Sequence, residues 1–361
     1  MATGAAALLA LMMVSWAAVL AANAAAPSLD TSPVPFEAGY MPLFGGDNLV
    51  RSPDGRSVRL KLDASTGSGF VSKSAYHHGY FSASIKLPDD YTAGVVVAFY
   101  LSNGDVFPGN HDEVDFELLG SRRGHEWRLQ TNIYGNGSTS RGREERYLLP
   151  FDPTLHPHAY AVAWTPTAII FYVDGTPIRE VVRVPAMGGD FPAKPMSVYA
   201  TIWDGSAWAT EGGRYKLDYA YAPFAADFSA LVLSGCPVGG VEQVVGGGGG
   251  SSSSSSASCD VAVMTAESAV MTPAKRAAMR RFRRRHLLYT VCHDRYRYNG
   301  TVFPECDADG SERGDFHKWG ESKLVSPSRR GYKKKRQQQR ANKQAAGDRP
   351  STWPIGTLLV D

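Results

Sequence analysis

Over residues 35–228 the chain keeps returning to short segments in which apolar and polar residues alternate with a period of two. A helix cannot use that pattern, because its apolar stripe recurs every three to four residues, whereas a strand sends successive side chains to opposite faces. Val58, Leu60 and Leu62 alternate with Arg59 and Lys61, and Phe81, Ala83, Ile85 and Leu87 alternate with Ser82, Ser84 and Lys86, so each segment reads as a half-buried strand. Residues 169–173 and 178–182 flank an Asp174-Gly175 turn, a hairpin signal, and residues 95–100 form a continuous apolar run suited to a central strand. Many short strands with no helix between them predict an all-β domain, a sandwich or jelly roll of two antiparallel sheets whose inner faces form the core.

The flanks have a different character. Residues 5–22 are apolar and Ala-rich and lead into Ala22-Asn23-Ala24, an A-x-A cleavage pattern, so residues 1–24 read as a signal peptide although no Lys or Arg precedes them; an uncleaved anchor is the alternative. Secretion makes Cys236, Cys259, Cys292 and Cys306 candidates for two disulfides. Of the three connectivities, Cys236 to Cys259 and Cys292 to Cys306 closes two short loops and is the expected one; a zinc site is the rival, weakened by the missing C-x-x-C pairs. Sequons at Asn136 and Asn299 agree with the secretory route.

Residues 229–258 read as a Gly/Ser-rich loop that cannot bury apolar area, and residues 259–322 as a small extension. Within it, residues 273–289 have a helical pattern, with Pro273 after Thr272 and with Ala278, Phe282 and Tyr289 along one face among many Arg. Residues 323–361 are basic, including Lys333, Lys334, Lys335 and Arg336, and read as a disordered tail. The formal net charge is only +3, which does not suit a nucleic-acid-coating protein. For a secreted chain the tail's functional reading is loose attraction to anionic polysaccharide. No membrane association is expected after signal cleavage, and with no metal-ligand cluster or nucleotide motif no cofactor is expected.

Residues 111–120 read HDEVDFELLG. Glu113, Asp115 and Glu117 alternate with Val114, Phe116 and Leu118, so a strand here carries three carboxyls on one face and three apolar side chains on the other. A solvated edge strand is the plain alternative. Two points favour chemistry. Strands are depleted in Asp and Glu, and three like charges on one face repel, a conflict of the kind functional sites tolerate. Positions i and i+4 also lie about 13 Å apart on a strand, and two Glu side chains leaning together leave roughly 5 Å between carboxyls, which suits a retaining glycosidase rather than an inverting one. One outer carboxyl must then be ionised to attack and the other protonated to release the leaving sugar. Asp115 between them can orient the nucleophile. Spacing does not say which outer Glu is which.

HDEVDFELLG resembles the signature of plant xyloglucan endotransglucosylase/hydrolases, members of glycoside hydrolase family 16 with a β-jelly-roll fold. The resemblance extends through Gln130-Thr131-Asn132 with Tyr134, Arg143-Glu144, residues 200–204 (ATIWD), Trp208-Ala209-Thr210 with Gly212-Gly213, and the four-cysteine extension. It implies that Glu113 is the nucleophile, Asp115 its helper and Glu117 the general acid/base. It also implies glucan contacts at Gln130, Thr131, Asn132, Arg143, Glu144, Trp208, Gly212 and Arg297, and xyloglucan chains as donor and acceptor in the cell wall and apoplast. Trp203 is left between core and site, and His111 between assisting the carboxylates and a structural role. Ser121-Arg122-Arg123 stands where many members have a sequon, Ala207 where Asp is common, and the loop at 135–142 is slightly longer. With the basic tail these features resemble a divergent branch that includes true hydrolases. The expected activity is transfer of cleaved xyloglucan to another chain. Hydrolysis, a mixed-linkage glucanase and a non-catalytic glucan-binding jelly roll are the alternatives.

Overall fold

The structure is a computed structural model of the 361-residue chain and describes residues 29–238, 253–294, 297–298, 301 and 303–306. The predicted signal peptide, the basic tail, the glycine run of the Gly/Ser loop and Asn299 lie outside the described residues.

Among the described residues the chain forms β1 (Tyr40–Phe44), β2 (Leu49–Arg51), β3 (Ser57–Leu62), β4 (Ser68–Ser72) and β5 (Ala75–Lys86). There follow β6 (Val95–Ser102), β7 (Glu113–Leu119), β8 (Arg128–Tyr134), β9 (Glu145–Leu148) and β10 (His158–Trp164). Then come β11 (Ala168–Val173), β12 (Thr176–Val182), β13 (Ser197–Asp204), β14 (Phe224–Val238) and β15 (Leu287–Thr290), with helices α1 (Ser253–Thr265) and α2 (Pro273–His286) before the last strand. One sheet has the order β1-β4-β13-β6-β7-β8-β9-β15 and the other β12-β11-β10-β5-β14-β3-β2, every pairing antiparallel. This is the expected two-sheet sandwich.

The alternation seen in the sequence is what fastens the two layers. Val114, Phe116 and Leu118 of β7 are fully buried, and Phe116 meets Tyr160 and Phe171 of the opposite sheet edge-on, at centroid distances of 5.8 and 5.2 Å. Each such side chain contributes about 1.5–3 kcal/mol by leaving water, so β7 is fixed in register by its inner face. Its outer face is thereby free to carry groups that the register of the strand does not depend on.

The C-terminal part differs from the sequence reading in three places. β14 runs on past residue 228, the predicted domain end, and reaches Cys236, which is bonded to Cys259 on α1. α1 begins at Ser253, inside the serine run read as loop. Serine is only mildly unfavourable in a helix, and the disulfide together with a 2.9 Å hydrogen bond between His78 Nδ1 and Asp260 Oδ1 ties α1 to the sandwich. α2 starts as predicted, with Thr272 accepting from the Lys275 N–H at 3.2 Å and Pro273 in the first turn, but it stops at His286. Tyr289, expected on that helix, lies in β15, because the open edge of β9 offers residues 287–290 a partner and burial for Leu287 and Tyr289. The second disulfide, Cys292 to Cys306, follows immediately. Both expected disulfides are therefore present.

Among the described residues no helix is long and apolar enough to cross a membrane, and no cluster of His, Cys, Asp and Glu is disposed to hold a metal ion.

Candidate active site

β7 is the fifth of eight strands, so its outer face is flanked on both sides. Glu113 lies opposite Ser102 of β6 and Tyr134 of β8, Asp115 opposite Tyr100 and Asn132, and Glu117 opposite Ala98 and Gln130. The three carboxyls therefore share one face with an amide pair, two tyrosines and a serine. Gln130 Nε2 donates to Glu117 Oε2 at 2.7 Å. Tyr100 stacks on Tyr199 of β13 at 5.1 Å, extending the same face away from β7.

Burial sets the protonation of this row. It raises Glu113 to about 7, against the lowering effect of the Ser102 hydrogen bond. Burial likewise raises Glu117 to about 8, with the Gln130 hydrogen bond opposing and the charges of Glu144 and Glu113 assisting. Asp115 is pushed well above the usual carboxylate range by burial first and then by Glu113 and Glu117 on either side. The Glu113 side chain is still 24% exposed, so the desolvation is that of a recessed surface rather than of the protein interior. Burial raises both outer carboxyls, and of these two the charge of Glu144 adds to the rise of Glu117 alone, while Gln130 and Arg146 oppose it. A retaining double displacement requires one of the two as nucleophile and the other as acid.

The start of the strand is held by Asp112, which is buried and accepts from the backbone N–H groups of Asn136, Ala193 and Lys194, each at 2.7 Å, and from Lys194 Nζ at 2.5 Å. Its own N–H donates to Asn103 Oδ1 at 2.8 Å. One carboxylate thus pins two loops beside Glu113. His111 approaches Glu113 Oε2 only to 3.9 Å, and burial holds its pKa below the usual value, so near neutrality it contributes no charge to the carboxyl row.

The residues singled out in the sequence separate into three groups. Gln130 and Asn132 stand on the carboxyl face, and Glu144 lies beside it, forked by both Arg297 Nη atoms, with Arg297 Nη1 to Glu144 Oε2 at 2.6 Å. Trp203 and Trp208 pack 6.1 Å apart against Val96 and Leu119, the continuation of that face beyond Glu117, so both indoles border the site and Trp203 is not interior. Gly212 has φ +68° with open space around it, in the same loop as Trp208.

Thr131 and Arg143 require correction. Thr131 is fully buried on the opposite face, opposite Phe116, where its Oγ1 accepts from Arg179 at 2.9 Å; period two forbids it from sharing a face with Gln130 and Asn132. Arg143 is only 1% exposed and lies in the interior, bonded to Glu305 and, at 3.0 Å, to Asp190, with Phe303 under its guanidinium. It anchors the C-terminal segment and does not face the carboxyl row. Its neighbour Glu144 takes the site-facing position.

Sequence reasoning missed Ser102, Tyr100, Tyr199 and Asp112. The first two sit in the run 95–102, whose inner and outer residues are nearly all apolar or aromatic, so no alternation betrayed a polar face. Counting back by two from Ser102 would have placed Tyr100 on it.

Comparison with known proteins places these features in a family. The model described as glycosyl hydrolases family 16 matches residues 36–221, and that described as the xyloglucan endo-transglycosylase C-terminus matches residues 253–306. The Arabidopsis thaliana protein named "Probable xyloglucan endotransglucosylase/hydrolase protein 30" is 52% identical over 84% of this chain and 86% of its own length. Protein 27 of the same series is 56% identical over 77% of this chain and 80% of its own, and protein 29 is 47% identical over 93% and 94%. Among solved structures, a Bacillus licheniformis beta-glucanase aligns with a TM-score of 0.45 at 22% identity, covering 56% of this chain and 96% of that one.

Proposed function

The chain belongs to glycosyl hydrolases family 16, among the xyloglucan endotransglucosylase/hydrolases, and from that premise we propose that Glu113, Asp115 and Glu117 catalyse retaining transfer of a β-1,4-glucan backbone between xyloglucan chains. The observation that carries this reading is the carboxyl row of β7: three acids on one face, recessed, and flanked by Gln130 and Asn132.

In the first step ionised Glu113 attacks the anomeric carbon while Glu117 gives its proton to the departing glucan oxygen, so the glycosidic bond breaks as the glucosyl-enzyme ester forms. Glu117, now a carboxylate, takes the proton of the acceptor hydroxyl as that oxygen displaces Glu113. Burial and the flanking charges of Glu113 and Glu117 push Asp115 toward its neutral form, in which it can donate to the nucleophile rather than repel it. Gln130 fixes the Glu117 carboxyl between its two roles. Glucan is bound by Asn132, Gln130, Glu144 with Arg297, the Trp208 indole and the open backbone at Gly212. Transfer exceeds hydrolysis when acceptor-side surfaces hold a sugar hydroxyl where water would otherwise attack.

The secretory reading of residues 1–24, the wall and apoplast location, glycans at Asn136 and Asn299, and attraction of the 323–361 tail to anionic wall polysaccharide belong to the same proposal. The exposed Asn136 side of its loop agrees with an acceptor site for glycan. The division into a catalytic sandwich and a cysteine-bridged extension, which adds β15 to one sheet edge, belongs to the same proposal.

The test incubates the mature protein with xyloglucan, with and without labelled oligosaccharide acceptor, and compares label incorporation with reducing-end release. Incorporation dominating release is the expected result. Release without incorporation makes the protein a hydrolase, and neither signal sinks the reading.

A further inference from the structure

α2 holds six arginines, one lysine and no acidic residue, and these divide by face. At 100° per residue, Arg276, Met279, Phe282, Arg283 and His286 fall on one side of the helix. There Arg276 forks Glu180 of β12 at 2.6 and 3.1 Å, Arg283 forks Glu145 of β9 at 2.6 and 2.8 Å, and Phe282 packs beside Tyr147. Arg280, Arg281, Arg284 and Arg285 cover the opposite arc of about 140°. All four are exposed and form no ion pair or hydrogen bond with a described residue.

Folding does not account for all four. Like charges at i and i+4 repel along a helix, and although cations in the last turn suit the helix dipole, that accounts for Arg284 and Arg285 rather than for Arg280 and Arg281. The face selects its partner by chemistry. The guanidinium fork matches carboxylates in pairs, and two parallel i, i+4 rows with a pitch of about 6 Å suit a linear polymer that repeats a carboxylate along its length. No apolar side chain larger than Ala277 interrupts the arc, which a lipid-surface helix would need in order to insert.

We propose that the outer face of α2 is a docking surface for a carboxylated polysaccharide, a polyuronate, which holds the enzyme in an acidic polymer network while its carboxyl row works on neutral glucan. The inference rests on the secreted, wall-acting reading above. It is distinct from loose attraction by the tail, because the four arginines are fixed on a helix clamped by Glu180 and Glu145.

The full-length protein is passed over immobilised polygalacturonate and over its methyl ester in rising NaCl. Retention on the acid form, elution by salt and no retention on the ester are expected. A variant combining Arg280→Gln, Arg281→Gln, Arg284→Gln and Arg285→Gln should bind the acid form at least ten-fold more weakly with unchanged Tm and unchanged activity on soluble xyloglucan. A variant combining Lys333→Gln, Lys334→Gln, Lys335→Gln and Arg336→Gln should keep most of its retention. The proposal is overturned by undiminished retention of the helix variant, by a loss confined to the tail variant, by equal retention on the ester, or by equally tight binding to phosphatidylserine vesicles. Activity in the same samples separates the two readings: an active protein without retention ends the docking surface alone, and an inactive unaltered protein ends the enzymatic reading while retention is judged separately.

Discussion

Glu117 on β7 and Glu145 on β9 belong to one sheet, two strands apart, and burial penalises the charge of both; yet they ionise in opposite directions. Glu145 faces the sandwich interior, opposite Thr131, and burial alone would raise its pKa, but the cations of Arg283 and Arg179 reverse the effect and hold it far below the usual range. Tyr147 and the Thr290 hydroxyl, at 2.8 Å, complete its coordination. Glu117 faces outward and accepts a hydrogen bond from the neutral amide of Gln130, with Glu113 and Glu144 adding negative charge that Arg146 partly offsets. The difference lies in the guanidinium groups that reach each carboxyl: Arg179 of β12 and Arg283 of α2 pair with Glu145, whereas Arg146 offsets only part of the rise of Glu117. Paired with two cations, a recessed carboxylate becomes a fastening between β9, β12, β15 and α2; without such pairing, its pKa stays raised.

The strongest way to break the comparison is to remove one member of each cluster. Glu113→Gln should abolish both transfer and hydrolysis, by on the order of 10⁴-fold or more, as expected for loss of a nucleophile. Its urea midpoint should be unchanged or higher, because a recessed unpaired acid has been replaced by a neutral isostere. Substantial residual activity would refute the nucleophile assignment.

Arg283→Met should do the reverse. It leaves Glu145 buried without its main cation, at a cost of about 3–5 kcal/mol, read as a lower urea midpoint, while activity per folded molecule stays near the original value. If the midpoint does not move, Arg179 at 3.5 Å from Glu145 is a sufficient partner and the fastening is weaker than the geometry implies.

How far the sequence reveals these two clusters follows from periodicity. β7 is legible because charge and apolarity alternate strictly there, so both the face and the three acids are plain from residues 113–118. Glu145 is not. It sits in the short strand ERYL beside Arg143-Glu144, and nothing local says that Glu144 lies toward the carboxyl row while Arg143 and Glu145 turn inward. The partners that decide this, Arg179, Arg283 and Glu305, lie far along the chain. Thr131 departs from the resemblance for a simpler reason: the resemblance groups it with its neighbours Gln130 and Asn132, against the alternation that governs a strand. The same long-range dependence hid the end of α2, since the strand-forming turn of residues 287–290 exists only because β9 offers an edge.

A smaller effect sharpens the outward half of the comparison. The Gln130 hydrogen bond works to lower the pKa of Glu117, so Gln130→Leu should move the alkaline limb of kcat/KM upward from its position in the unaltered protein by up to about one pH unit. Rate at the optimum will fall as well, through lost glucan contact. The position of the limb is the diagnostic quantity, and a limb that stays put or moves down would show that Gln130 does not favour the charged form.

The smallest expected effect concerns stability, and its sign separates the clusters. Glu113, Asp115 and Glu117 have folded-state pKa values raised above their unfolded ones. The stability they contribute is fully present below about pH 4 and, for Glu113 and Glu117, is lost as pH rises through about 7 to 8, because the folded protein must then ionise groups that the unfolded chain ionises more easily. Glu145 is lowered, so its contribution is present at neutral pH and is lost only as pH falls below the unfolded carboxylate value. Between pH 5 and pH 8 the outward row alone titrates of the two, and Tm should decline across that window. Glu117→Gln should flatten the decline, and Arg283→Met should shift the whole curve down without flattening it. A slope that survives Glu117→Gln unchanged would mean that this carboxyl is already ionised in the folded protein, and with that the assignment of Glu117 as the proton donor would fall.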